Sequence, residues 1–170
     1  MAIEIERKFL VNGEYKSLSV SHTHIIQGYI CSGRGRSVRV RLRDEHSYLT
    51  IKGPSFDGGL SRYEFEKKIT RDEALSLLRL CDPGIIDKVR WMVPVGGHTF
   101  EVDEFFGENE GLVVAEIELR QAEEAFERPS FLGQEVTGEC RYYNSQLRVR
   151  PYKLWTEAER NGKADGHGAG

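Results

Sequence analysis

The chain has 170 residues, with 24 Lys plus Arg against 27 Asp plus Glu and a net charge of −3. That length suits one domain with a sizeable core, and the acidic balance argues against a generic nucleic-acid binder. No apolar run approaches the ~18 residues of a membrane span, and 39% hydrophobic with 10% aromatic residues is too rich for disorder.

The first segment, 3–11, alternates Ile3, Ile5 and Phe9 with Glu4, Glu6 and Lys8. Period two is the signature of a strand with two unlike faces. The early charges also interrupt any secretory leader, so none is expected. A weaker strand follows at 25–31. Gly33-Arg34-Gly35-Arg36 reads as a hairpin turn, not as a phosphate-binding glycine loop. Segments 36–43, 47–52 and 61–69 resume the alternation. Thr70, Arg71, Asp72 and Glu73 form a capping-box pattern ahead of Ala74, Leu75, Leu77 and Leu78, which predicts a helix closed by Pro83 and Gly84. Strands are then predicted at 88–93, 98–105 and 112–120. Short helices are expected at 121–127 and 139–147. The expected organisation is one domain over 1–155 with a polar, disordered tail over 156–170. About eight strands and few helices make the fold class α+β, mainly antiparallel β. Cys31, Cys81 and Cys140 form no metal pattern, and they point to a reducing, cytoplasmic compartment. Neither a membrane nor a nucleic-acid partner is expected.

A single charged strand face normally turns to water. Here the charges pair too regularly for that alone. Arg39, Arg41 and Arg43 share one face, and carboxylates recur at the same spacing: Glu4 with Glu6, Glu64 with Glu66, Glu101 with Asp103, Glu116 with Glu118. Enclosed arginines about 7 Å apart repel by ~2.4 kcal/mol at an effective dielectric near 20, so they need anions beside them. Glu-x-Glu on a strand projects two hard oxygen ligands one way, which suits Mg²⁺ or Mn²⁺. Arg and Lys opposite would meet phosphate oxygens. A barrel with its charged faces inward would be a cage for a metal-bound polyanion. Its outward apolar faces then need cover, which helices and a homodimer interface would supply. A barrel of opposite polarity, carrying a greasy ligand, fits the same alternation.

Several blocks in order resemble the CYTH superfamily, the triphosphate tunnel metalloenzymes: Glu4-Ile5-Glu6-Arg7-Lys8, Gln27-Gly28-Tyr29, Val38-Arg39-Val40-Arg41, Thr50-Ile51-Lys52-Gly53, Arg62-Tyr63-Glu64-Phe65-Glu66, Lys88-Val89-Arg90, Glu101-Val102-Asp103, Ala115-Glu116-Ile117-Glu118 and Gly133-Gln134-Glu135-Val136-Thr137. The resemblance is nearest to the short bacterial-type inorganic triphosphatases. It implies an eight-stranded antiparallel tunnel or cup with a charged interior that binds a small-molecule triphosphate with Mg²⁺ or Mn²⁺. On this reading Glu4, Glu6, Glu64, Glu116 and Glu118 hold the metal and position water. Lys8, Arg39, Arg41, Lys52, Arg62, Lys88 and Arg90 grip phosphate oxygens. Glu66, Glu101 and Asp103 neutralise the arginines and hold their rotamers. Lys88, its pKa lowered by neighbouring arginines, is the candidate general base, and Tyr29 orients it or the water. The expected reaction is hydrolysis of the terminal phosphate. The alternatives are a class IV-type adenylate cyclase and a non-catalytic polyphosphate-binding module.

Overall fold

Nine antiparallel strands form one sheet: β1 (Ala2–Val11), β2 (Ser21–Gly33), β3 (Arg36–Arg43), β4 (His46–Phe56), β5 (Ser61–Ile69), β6 (Ile86–Val95), β7 (His98–Phe105), β8 (Val113–Leu119) and β9 (Leu132–Glu135). The computed structural model describes residues 2–163. Spatial order runs β5-β4-β3-β2-β6-β7-β8-β1-β9, and β5 also pairs with β1. Eight strands therefore close into a barrel. β1 makes the seam. Along one edge it pairs with β8, from Ile5↔Leu119 to Leu10↔Val114. Along the other, its first half pairs with β5 (Ile3↔Tyr63, Glu4↔Arg62) and its second half with β9 (Phe9↔Glu135). The eight alternating segments all become barrel strands. β9 adds a ninth that alternation did not reveal, since Leu132-Gly133-Gln134-Glu135 carries one apolar residue.

Antiparallel partners share a face, so register fixes what lies inside. Tyr29 opposes Arg39, and Arg39 opposes Thr50. Arg90 opposes Asp103, and Glu101 opposes Glu116. The polar parity of the barrel strands thus faces the lumen, charged on all but β2, which presents Gln27 and Tyr29. The turn joining β2 to β3 has positive φ at both Arg34 (52°) and Gly35 (76°), which matches the twist of a two-residue hairpin.

The apolar parity faces outward and is covered in patches. Phe9, Phe100, Val102, Ala115 and Ile117 pack beneath Tyr15 and Phe131. Helix α1 (Arg71–Leu78) seats Ala74 on Val40 and Leu42, and the Thr70–Glu73 capping box closes at 3.0 and 2.9 Å. A third cluster joins the inward-facing Ile86, Phe105 and Val114 to Tyr142, Leu147 and Trp155. The C-terminal segment therefore plugs one end, and the barrel is a cup. Ile3, Ile51, Phe56, Tyr63 and Phe65 remain exposed as one outer strip.

Three expectations about helices are corrected. Residues 121–127 are not helical. Ala122 and Phe126 offer only one turn's worth of apolar spacing, too little to offset nucleation, and Phe126 packs edge-on against Phe9 and Phe100 instead. The helix expected over 139–147 is broken. Cys140–Tyr142 form a 3₁₀ turn, Tyr143 is extended, and α2 (Asn144–Leu147) is a single turn. The expected tail contains α3 (Glu157–Arg160), whose buried Glu159 pairs bidentately with Arg150 at 2.5 and 2.6 Å. The part of the tail beyond residue 163 lies outside the described residues.

Gly138 (φ 79°) packs against the turn at Gly58 and Gly59, and a Cβ there would run into the Gly58 carbonyl oxygen. The Gly138→Ala variant is expected to lose about 1–3 kcal/mol of stability, read as a lowered urea midpoint with unchanged m. An unchanged midpoint would show that the two loops are not packed as described.

Candidate active site

The inward faces enclose a cavity of about 890 Å³, lined by eight basic and eight acidic side chains. Topology sorts most of the signs, with Lys8 on β1 and the mixed charges of β5 as exceptions. Neighbouring strands β8 and β1 contribute Glu116, Glu118, Glu4 and Glu6. Across the ring, β3 contributes Arg39, Arg41 and Arg43, with Arg90 from nearby β6. An acidic wall thus faces a basic one. Every metal candidate, Glu4, Glu6, Glu64, Glu116 and Glu118, lines the cavity. So do Lys8, Arg39, Arg41, Lys52, Arg62 and Arg90.

The basic wall is held by short contacts. Asp103 accepts from Arg90 Nε at 2.7 Å and Nη2 at 2.9 Å, and from Lys88 Nζ at 2.7 Å. Glu101 takes the remaining Arg90 edge at 3.0 Å. Arg39 donates to Thr50 at 3.1 Å, which in turn donates to Glu66 at 2.9 Å. Arg41 Nε donates to Gln27 at 2.9 Å. Lys52 pairs with Glu4 at 2.8 Å, and Lys8 with Glu116 at 3.3 Å. Arg62 donates to the Gly53 carbonyl at 3.2 Å.

Burial and charge move several pKa values. Burial would raise the Asp103 carboxyl, but Arg90 and Lys88 hold it well below the usual range. Burial pushes Lys88 down to about 7; Asp103 opposes the fall, while Arg90 and Arg41 assist it. Burial, with Arg39 and Arg90 beside it, also lowers Arg41. Burial pushes Glu6 up to about 8, with Glu116 adding to the rise. Glu116 goes the other way: against burial, Lys8 and Arg90 draw it down to about 2. A carboxyl that holds its proton among other carboxylates marks a place where positive charge is wanted. The donors are all hard oxygens, so they fit Mg²⁺ or Mn²⁺. Among the described residues no three such groups close on one point.

Two placements differ from the sequence reading. Lys88 is fully buried and does not line the cavity; its ammonium lies behind the wall, on Asp103 and on Asn144 Oδ1 at 3.0 Å. Tyr29 does line the cavity, but its hydroxyl accepts from Gln27 at 3.4 Å and makes no hydrogen bond to Lys88 among the described residues. Tyr143 and Asn144, which also line the cavity, carried no sequence signal because they sit in an irregular turn.

The CYTH domain family matches residues 2–152. The chain belongs to the CYTH family. Like other members it implies dependence on a divalent metal. A relative from Acetivibrio thermocellus, named an inorganic triphosphatase, is 48% identical over 92% of this chain and 100% of its own. One from Nitrosomonas europaea, with the same name, is 33% identical over 86% and 97%. A crystal structure described as an inorganic triphosphatase is 28% identical, covers 88% of this chain and 96% of its own, and superposes with a TM-score of 0.60.

Removing Asp103 strands two buried cations. Asp103→Ala is expected to cost about 3–5 kcal/mol, read by chemical denaturation. The folded carboxyl ionises below the ordinary aspartate value of 3.8. Its contribution is therefore complete above that pH and is lost as pH falls further. Equal stability of wild type and variant at pH 7 would refute the bridging role.

Proposed function

We propose that this CYTH protein is an inorganic triphosphatase, hydrolysing the terminal phosphate of tripolyphosphate or a small organic triphosphate with Mg²⁺ or Mn²⁺. The acidic wall facing a basic wall across one enclosed cavity carries the reading. Lining charges balanced in number suit a metal and a polyanion together better than a bare anion. The names of the two relatives support the same activity.

Lys8, Arg39, Arg41, Lys52, Arg62 and Arg90 bind phosphate oxygens, the arginines through the N–H groups their protein partners leave free. Glu4, Glu6, Glu64, Glu116 and Glu118 hold the metal, which when bound neutralises phosphate charge and acidifies water. Phosphoryl transfer asks mainly for position and charge stabilisation, and the pre-paired arginines provide both without rearranging. Lys88, held behind the wall, takes the proton from the attacking water by way of one bridging water, with Tyr29 on the cavity wall orienting the attacking water. Its depressed pKa makes the neutral amine accessible near neutrality. The free thiols of Cys31, Cys81 and Cys140 support a reducing, cytoplasmic setting. The exposed strip at Tyr63 and Phe65 supports a homodimer.

Phosphate release from tripolyphosphate is expected with either metal, and Glu6→Gln is expected to lower kcat at least ~10²-fold. Cyclic AMP and pyrophosphate formed from ATP without free phosphate would instead establish a cyclase. Below about pH 7 the rate should rise tenfold per pH unit as Lys88 loses its proton, then level off. Lys88→Arg stays charged throughout and should not rescue Lys88→Ala. Full activity of Lys88→Arg with an unchanged profile would remove the general base.

A further inference from the structure

Three consecutive C-terminal residues touch cations from three different strands. The Tyr142 carbonyl accepts from Lys8 Nζ at 3.4 Å. The Tyr143 ring lies 5.0 Å from Lys8 Nζ and 5.6 Å from the Arg62 guanidinium carbon. Asn144 Oδ1 accepts from Lys88 Nζ at 3.0 Å. The break in the expected helix makes this possible. Tyr143 is extended (φ −69°, ψ 135°) between the 3₁₀ turn and α2. A continuous helix would turn residues 142, 143 and 144 about 100° apart. Instead Tyr142 is buried in the plug while Tyr143 and Asn144 line the cavity.

We propose that the turn Tyr142–Asn144 is part of the active site: Tyr143 positions the phosphate-binding cations Lys8 and Arg62, and Asn144 positions Lys88 through Oδ1 and, through its amide N–H groups, orients a water or phosphate oxygen at the cavity wall. The proposal rests on the triphosphatase reading above.

Lys8 and Arg62 repel each other when no anion is bound. One aromatic ring within reach of both attracts each of them by about 0.5–2 kcal/mol. The ring thereby keeps the two cations in place before substrate arrives. Asn144 has a different task. Lys88 is held on its buried side by Asp103, and it is flanked by Arg90 and Arg41 and by the Phe105 ring at 5.4 Å. Asn144 both touches the amine and lines the cavity. A general base must reach its proton directly or through one water. Among the described residues the Asn144 amide nitrogen has no protein partner, which leaves it for water or a phosphate oxygen.

Steady-state kinetics on tripolyphosphate separate the two tasks. Tyr143→Phe keeps the ring face and should hold a KM well below that of Tyr143→Leu. Tyr143→Leu should raise KM about tenfold with kcat within twofold. Asn144→Asp puts a second carboxylate on Lys88, so the rising limb of the pH–rate profile should move to higher pH by about one unit. Asn144→Ala should lower kcat by tenfold or more at little change in KM. Thermal melts of each variant identify any that fail to fold, and tripolyphosphate titration by calorimetry then reads binding without turnover. Wild-type KM for Tyr143→Leu, or an unmoved profile for Asn144→Asp, overturns the corresponding assignment. A wild-type protein that binds tripolyphosphate but releases no phosphate overturns the functional reading and leaves the Tyr143 assignment to be decided by binding alone.

Discussion

Asp103 bears on nearly everything else in the cup. A guanidinium and an ammonium from neighbouring positions on β6 converge on its two oxygens, all three groups shielded from water. Burying one unpaired charge costs several kcal/mol. A strand carrying Lys88 and Arg90 can face inward only if the adjacent strand brings an anion to the same level, and the Arg90↔Asp103 register does so. The same condition recurs around the ring. Lys52 meets Glu4, Lys8 meets Glu116, and Arg39 reaches Glu66 through Thr50. Register, normally set by which residues are apolar, is set here by charge as well. A one-residue slip would turn both the arginines and the carboxylates outward and leave Val and Ile in the lumen.

Pairing alone would make a closed ionic core with nothing left for a ligand. The cavity exists because apolar side chains fill the plugged end and give way to charged ones toward its middle. Near the plug, Asp103 pairs with Arg90 and Lys88, and apolar Phe105, Val114 and Ile86 fill the remaining space. Farther out the carboxylates crowd together. Burial, with Glu116 and Glu4 adding to it, pushes the Glu6 carboxyl up to about 8. Facing it, Arg41 is disfavoured as a cation by Arg39 and Arg90. Each wall therefore carries an excess of its own sign, and the two excesses are separated by a cavity. A divalent ion relieves one and a polyphosphate the other, and the two attract each other.

The alternation made the barrel strands legible in the sequence, since period two survives any tertiary context that buries one face. It did not say which face is buried. A charged-inside and an apolar-inside barrel share the same pattern, and the family blocks tipped the choice. Local signals worked where the physics is local: the Thr70–Glu73 capping box and the Arg34-Gly35 turn. They failed where structure is imposed from a distance. β9 forms because β1 outruns β5 and leaves an edge to be paired. Residues 121–127 stay irregular because Phe126 gains more against Phe9 and Phe100 than one helical turn would supply. The carboxylate and arginine positions were readable from spacing. The burial of Lys88 behind the wall was not, because it depends on a plug some fifty residues downstream.

That plug also bears on how the site could be assembled during folding. The barrel strands can align their charges with one another, yet the inner end stays open until residues 142–155 arrive. Tyr142, Leu147 and Trp155 bring the apolar surface that dries this end, and the adjoining turn carries Tyr143 and Asn144 against Lys8, Arg62 and Lys88. Desolvation of Lys88 and its hydrogen bond to Asn144 therefore come from the same segment. The first lowers the affinity of the amine for a proton, and the second fixes where the amine sits while the Asn144 amide N–H groups point toward the cavity it lines. A base that is both dry and held in place needs these two effects together, and a strand interior with no plug would provide neither.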